Sequence, residues 1–235
     1  GYAVESPYGS DPGTASYTNV FGIVQSATMP DPTVDFQPFY GHSTSSYRNW
    51  FIAYKGRQAL SGSIPDILLL DGRPLRWPIG TEAHGAGPPY THTISEATTL
   101  SSISLHVTNT DADGNVELMR RFHGGKINRA TFTATEGGFL TMGIDEILFN
   151  GFSNNITGEL GYAAGVAVIT PTYPTTQPYL FSYGALSLGE LGTTEFARVR
   201  EFRLTVDNAC EAKYYVTDNA TTQLPYEHRE GRRTY

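Results

Sequence analysis

The stretch Asn128-Arg129-Ala130-Thr131-Phe132-Thr133-Ala134-Thr135, then Glu136-Gly137-Gly138, then Phe139-Leu140-Thr141-Met142-Gly143-Ile144-Asp145, decides the fold class. Asn128, Ala130, Phe132 and Ala134 fall on one face, and Arg129, Thr131, Thr133 and Thr135 on the other. A period of two belongs to a strand with one buried face. Glu136-Gly137-Gly138 supplies a turn, after which Leu140, Met142 and Ile144 continue the apolar face opposite Thr141, Gly143 and Asp145. The reading is an antiparallel hairpin with one apolar face and one face of short hydroxyls. It makes the protein mainly β.

The same alternation recurs on both sides. Upstream, Ile103, Leu105 and Val107 share a face, with Ser102, Ser104, His106 and Thr108 on the opposite, polar one. Asp113-Gly114 then suits a type I′ turn into a second run through Val116, Leu118 and Phe122. Downstream, residues 197–206 change phase between Val199 and Phe202, which predicts a β-bulge near Arg200 or Glu201. Residues 20–28 and 33–39 read as two strands around Met29-Pro30-Asp31-Pro32. Only residues 64–70 read as helix: Ser63 can cap it, Pro65 suits its first turn, Ile64, Ile67 and Leu68 share a face, and Gly72 can end it. Residues 162–178, rich in Thr and Pro, and residues 41–57 read as extended arms. The expectation from these patterns is one mainly β domain over residues 1–235 with one short helix.

Composition narrows the function. With 16 Lys and Arg against 23 Asp and Glu the net charge is −7, which argues against a surface that clamps nucleic acid. The apolar runs 67–70 and 163–169 are far shorter than the roughly 20 residues that cross a bilayer, so this chain is not expected to insert in membranes. Cys210 is the only cysteine; no intrachain disulfide can form, and a reducing site of synthesis, the cytoplasm, fits best.

No constellation points to catalysis. His84 and His92 flank a Gly- and Pro-rich loop but lack a third ligand at a recognised spacing, so no metal is expected. Asp111-Ala112-Asp113-Gly114-Asn115 lacks the rest of a calcium loop and reads as a turn. Gly41-His42-Ser43-Thr44-Ser45 lacks the second glycine of a hydrolase elbow. Asp145 and Glu146, adjacent on a strand, are expected to point to opposite faces, one as a polar-face acid and one as an edge or bulge acid. Prolines after Gly85-Ala86-Gly87 remove donors that a phosphate loop needs, so no cofactor is expected either. The alternative to a structural role is a glycan-binding β-sandwich module that stacks sugars on Trp50, Trp77 or exposed tyrosines.

The order of segments resembles the tail tube, or major tail, proteins of tailed bacteriophages. The resemblance runs through Phe21-Gly22-Ile23-Val24-Gln25-Ser26-Ala27, Gly124-Gly125-Lys126-Ile127-Asn128 with the hairpin above, and Phe181-Ser182-Tyr183-Gly184-Ala185-Leu186-Ser187-Leu188. It continues through Ala197-Arg198-Val199-Arg200-Glu201-Phe202-Arg203-Leu204 and Asp207-Asn208, and closes on Pro225-Tyr226-Glu227 and Glu230-Gly231-Arg232-Arg233.

What the resemblance implies is a non-enzymatic virion protein, a β-sandwich or barrel with one short flanking helix, made in the host cytoplasm, whose hexameric rings stack into the tail tube. Inner strands of the subunits join into a barrel around a lumen, which holds the tape-measure protein and then conducts double-stranded DNA. Tail terminator and distal tail or baseplate proteins are the implied partners at the tube ends. Relatives commonly carry another strand after the Glu-Gly-Arg-Arg segment, so both ends are expected to be trimmed. Six subunits at −7 each give an acidic ring of −42, which repels a polyanion. The hydroxyl face, with Arg129, Thr131, Thr133, Thr135, Thr141 and Asp145, is expected to line the lumen, Arg129 lying beside an acidic partner or near the ring edge. Arg outnumbers Lys 13 to 3, which suits bidentate ion pairs between subunits, with Arg198, Arg200, Arg203, Arg232 and Arg233 as the candidates.

Overall fold

A computed structural model of the chain describes residues 1–30, 36–40, 50–85, 91–159, 161–184, 199–215 and 224–235. The expected mainly β character is present: 48% of residues lie in strands and 7% are helical. The strands are β1 (Tyr2–Val4), β2 (Ile23–Thr28), β3 (Phe36–Tyr40), β4 (Trp50–Lys55), β5 (Leu60–Leu68), β6 (Gly80–His84) and β7 (His92–Glu96). They continue as β8 (Ile103–Thr110), β9 (Val116–Thr135), β10 (Thr141–Phe149), β11 (Gly151–Asn154), β12 (Glu201–Asp207), β13 (Glu211–Lys213) and β14 (Glu227–Arg229). The arm at residues 162–178 has no helix or strand, as expected, whereas residues 50–55 of the other expected arm form β4 and residues 41–49 lie outside the described residues.

The 20-residue strand β9 organises the molecule. Its first half pairs with β8 and β11; its second half pairs with β10 and β12, and β10 leads on through β5 to β2. All these pairings are antiparallel, and the sheet curls into a half barrel. The strand changes company at Gly124, whose φ of +66° and close approach to Asn150 leave no room for a side chain: a Cβ there would lie 2.1 Å from Asn150 Oδ1. Ile64, Ile67, Phe122, Ile127, Phe132, Met142, Ile144 and Phe149 pack together as one apolar core, joined by Trp77.

The quoted hairpin folds as read. Ala130, Phe132 and Ala134 are buried, and the turn runs through Gly137 at φ +76°. The β8–β9 hairpin is also present, but its connection is the five residues 111–115 with only Gly114 left-handed, so it is not the two-residue turn expected. No bulge interrupts β12, whose register on β9 is unbroken from Glu201 to Asp207; the phase change falls before the strand begins.

Two larger expectations also fail. Residues 64–70 are not a helix: residues 60–68 form β5, and the only α-helix among the described residues is one turn, α1 (Arg76–Ile79). Met142 opposes Ile67 and Ile144 opposes Ile64, so β5 carries one extra residue at Pro65-Asp66. A bulge inserted into a period of two turns i, i+2 into i, i+3, which mimics a helical stripe. Pro65, which has no N–H for a ladder, sits at that irregularity. The second reversal concerns β8. Its Ser102-Ser104-His106 face, expected in solvent, is buried, because residues 5–17 and the arm at residues 161–169 fold over it.

Candidate functional site

The exposed side of the β12-β9-β10-β5-β2 sheet is the most distinctive polar surface among the described residues. Three strands align there: Thr141 opposes Thr133, which opposes Arg203, and Gly143 opposes Thr131, which opposes Thr205. Thr131 Oγ1 donates to Asp145 Oδ2 at 2.7 Å and lies 3.2 Å from Thr205 Oγ1. Thr141 Oγ1 donates to the Thr133 carbonyl at 3.3 Å. Thr135 is exposed at the end of the row. The Thr131, Thr141 and Thr205 hydroxyls on this face already have partners within the chain.

Arg129 stands beside an acid. Its Nε and Nη2 both donate to Asp207 Oδ2, at 3.0 and 2.6 Å, and this charge-assisted pair holds the Asp207 carboxyl below its ordinary range. Arg203 is exposed in the same groove, which runs along Arg129, Thr131, Asp145, Thr205, Asp207 and the C-terminal Thr234 and Tyr235. A second concavity continues it from Arg129 and Asp145 across Glu146 to Ser61, Ser63 and Thr28.

Asp145 and Glu146 do not point to opposite faces. Ile144 opposes Ala130 and Glu146 opposes Arg129, so Asp145 is the extra residue of a bulge, and both acids line the groove. The register recovers one step later, where Asn128 is the extra residue on β9 and its side-chain amide donates to Glu146. Period-two reasoning missed this; the buried pair Ile144 and Ile147, three apart, was the signal that could have found it.

The remaining candidates scatter. Arg200 pairs with Glu136 of its own chain at 3.0 Å on an open surface. Arg233 Nε donates to Asn208 Oδ1 at 2.6 Å, while Asn208 Nδ2 donates to the carbonyls of Pro78 and Ile127, so Arg233 clips the C-terminal segment to its own subunit. Arg232 is exposed, and Arg198 lies outside the described residues. His84 and His92 face each other across β6 and β7, with His92 Nδ1 2.5 Å from Glu82 Oε1, but among the described residues no group of three or more His, Cys, Asp or Glu converges as a metal site. Asp111 accepts from the amides of Asp113 and Asn115, as a turn residue does. Trp77 is in the core, so it offers no sugar platform. No described helix is long and apolar enough to cross a membrane.

The two edges of this sheet are the other functional feature. Among the described residues β2 pairs only with β5, and its six residues are all exposed, Ile23 and Val24 among them. At the far edge β12 pairs with β9, and among the described residues its outer side is met only at Asp207, by Thr234. Among the described residues the sheet thus has an unpaired edge at each end, the kind of edge that strand pairing with another chain covers. A family profile described as phage tail tube protein matches residues 53–233, and the chain belongs to that family. Comparison with curated proteins finds no match. The protein is therefore a structural component of a phage tail tube, located in the virion tail and assembling with other tail proteins.

Proposed function

We propose that six copies close into a ring by pairing β2 of one subunit with β12 of the next, and that stacked rings form the tube that encloses the tape-measure protein and conducts double-stranded DNA. The observation that carries this reading is the pair of open edges on one continuous sheet whose free face is polar. Pairing the edges removes them and turns six half barrels into one large barrel. The groove face then lines the channel, with Arg129, Thr131, Thr133, Thr135, Thr141 and Asp145 toward the passing polymer. Asp207 neutralises Arg129 on this face, and Arg203, exposed beside Thr133 in the same groove, is left to pair with an acid of the neighbouring subunit, since a free guanidinium would hold phosphate. Arg198, Arg200, Arg203 and Arg232 are the residues proposed for contacts between subunits, and tail terminator and distal tail or baseplate proteins would cap the tube ends. The reading gives the chain no catalytic role, metal or cofactor. Electron microscopy of the purified protein tests it: hollow tubes of six-fold rings are expected, and a persistent monomer at high concentration would overturn it.

A further inference from the structure

The covered face of β8 and β9 is a second, polar interior, distinct from the apolar core and from the groove. β1 extends the sheet by pairing with β8, and its Tyr2 packs in the apolar core; residues 5–17 then cross the polar face as a strap, fastened by two carboxylates. Glu5 Oε1 accepts from Ser104 Oγ and from the Gly124 amide, both at 2.6 Å. Asp11 Oδ2 accepts from Arg121 Nη1 at 3.1 Å, and its Oδ1 accepts from the Tyr17 hydroxyl at 3.0 Å. Arg121, only 2% exposed, also donates through Nη2 to Thr14 Oγ1 and to the Gly165 carbonyl, tying the strap to the arm.

His106 sits beneath this fastening, 3% exposed, with the Tyr17 ring edge-on at 5.6 Å. Arg121 Nε donates to His106 Nδ1 at 3.3 Å, so the neutral imidazole carries its proton on Nε2, which has no partner. A second proton can only go on Nδ1. It would take away the acceptor of Arg121 and set two cations against each other in a buried site. The other charged groups facing His106 are Asp11 on the strap and the amino group of Gly1, which donates to the His106 carbonyl at 3.1 Å. Asp11 is already spent on Arg121.

We infer that His106 is a proton-operated latch: protonation of its Nδ1 releases the strap of residues 5–17 from the β8–β9 face while β1, the apolar core and the β9–β10 hairpin stay folded. Burial, and then the neighbouring Arg121, hold the closed imidazole at a pKa of about 4 against the ordinary 6.5. The closed state is therefore favoured fully above pH 6.5 and progressively less as the pH falls toward 4. This device does not depend on how the subunits assemble.

Hydrogen exchange of the full chain, read by mass spectrometry and corrected for intrinsic pH dependence, tests the latch. Between pH 7 and pH 5.5 the protection of residues 5–17 should fall by about tenfold, while residues 2–4 and 126–149 keep theirs. In His106→Gln, whose amide oxygen can still accept from Arg121, the loss should be several-fold smaller, the remainder coming from the Gly1 amino group, held at about 6 by burial, and from His228 beside Tyr8. A pH-independent strap in the wild type, or an equal loss in His106→Gln, would overturn the inference. Exchange of the imidazole C2 proton in the unmodified protein gives an independent reading should the variant fail to fold: a His106 midpoint well below 6.5 is expected, and an ordinary midpoint would also overturn it.

Discussion

Ile67 shows how much one side chain carries. It is fully buried in β5, opposite Met142 on one side and Val24 on the other. Ile67→Ala should cost about 2 to 5 kcal/mol, through lost transfer energy and the cavity left behind. Chemical denaturation of the variant checks this, with a loss under 1 kcal/mol counting against the packing described. His228 makes a comparable statement about pH. Tyr8 Oη lies 3.1 Å from its Nδ1, and Lys126 donates to its carbonyl at 2.8 Å and to Glu230 at 2.7 Å. Burial, and secondly Lys126, lower the His228 pKa to about 4. The unfolded chain binds that proton more readily, so this contribution is complete above pH 6.5 and is lost as the pH falls toward 4, by up to about 3 kcal/mol. The denaturation midpoint should drop between pH 7 and pH 5, and less so in His228→Gln.

At the scale of elements, the strand edges make the sharpest prediction. Val24 is exposed on β2, and a lysine there leaves the subunit's own core untouched but places a charge on the edge proposed to meet β12 of a neighbour. Val24→Lys should change subunit stability by less than about 0.5 kcal/mol and abolish ring formation, as read by sedimentation. Intact rings would locate the interface elsewhere. The elements also differ in how legible they are. The β9–β10 hairpin is readable because seven or more residues keep one phase and end at Gly137. β5 is not, because the extra residue at Pro65-Asp66 converts its alternation into a helical spacing. The groove was partly legible: its threonines follow from the period, whereas Asp145 and Glu146 share it only through a bulge. The burial of Ser104 and His106 could not be read locally at all, since the chain that covers them comes from residues 5–17 and 161–169.

For the whole molecule the claim is geometric: a half barrel with a hydroxyl face and two free edges becomes a channel when copies join. Charge on the face should then matter for what passes through it. Replacing Thr133 and Asp145 by Lys should leave tubes intact and slow DNA ejection, with the delay shrinking as salt rises; ejection at the wild-type rate at every salt concentration would remove this face from the channel. The most direct test is a cryo-EM map of the assembled tube at side-chain resolution. The account predicts six subunits per ring, β2 paired with β12 of the adjacent copy, and Thr131, Thr133 and Asp145 facing the lumen. A map in which that face points outward, or in which β2 and β12 stay unpaired, would contradict it.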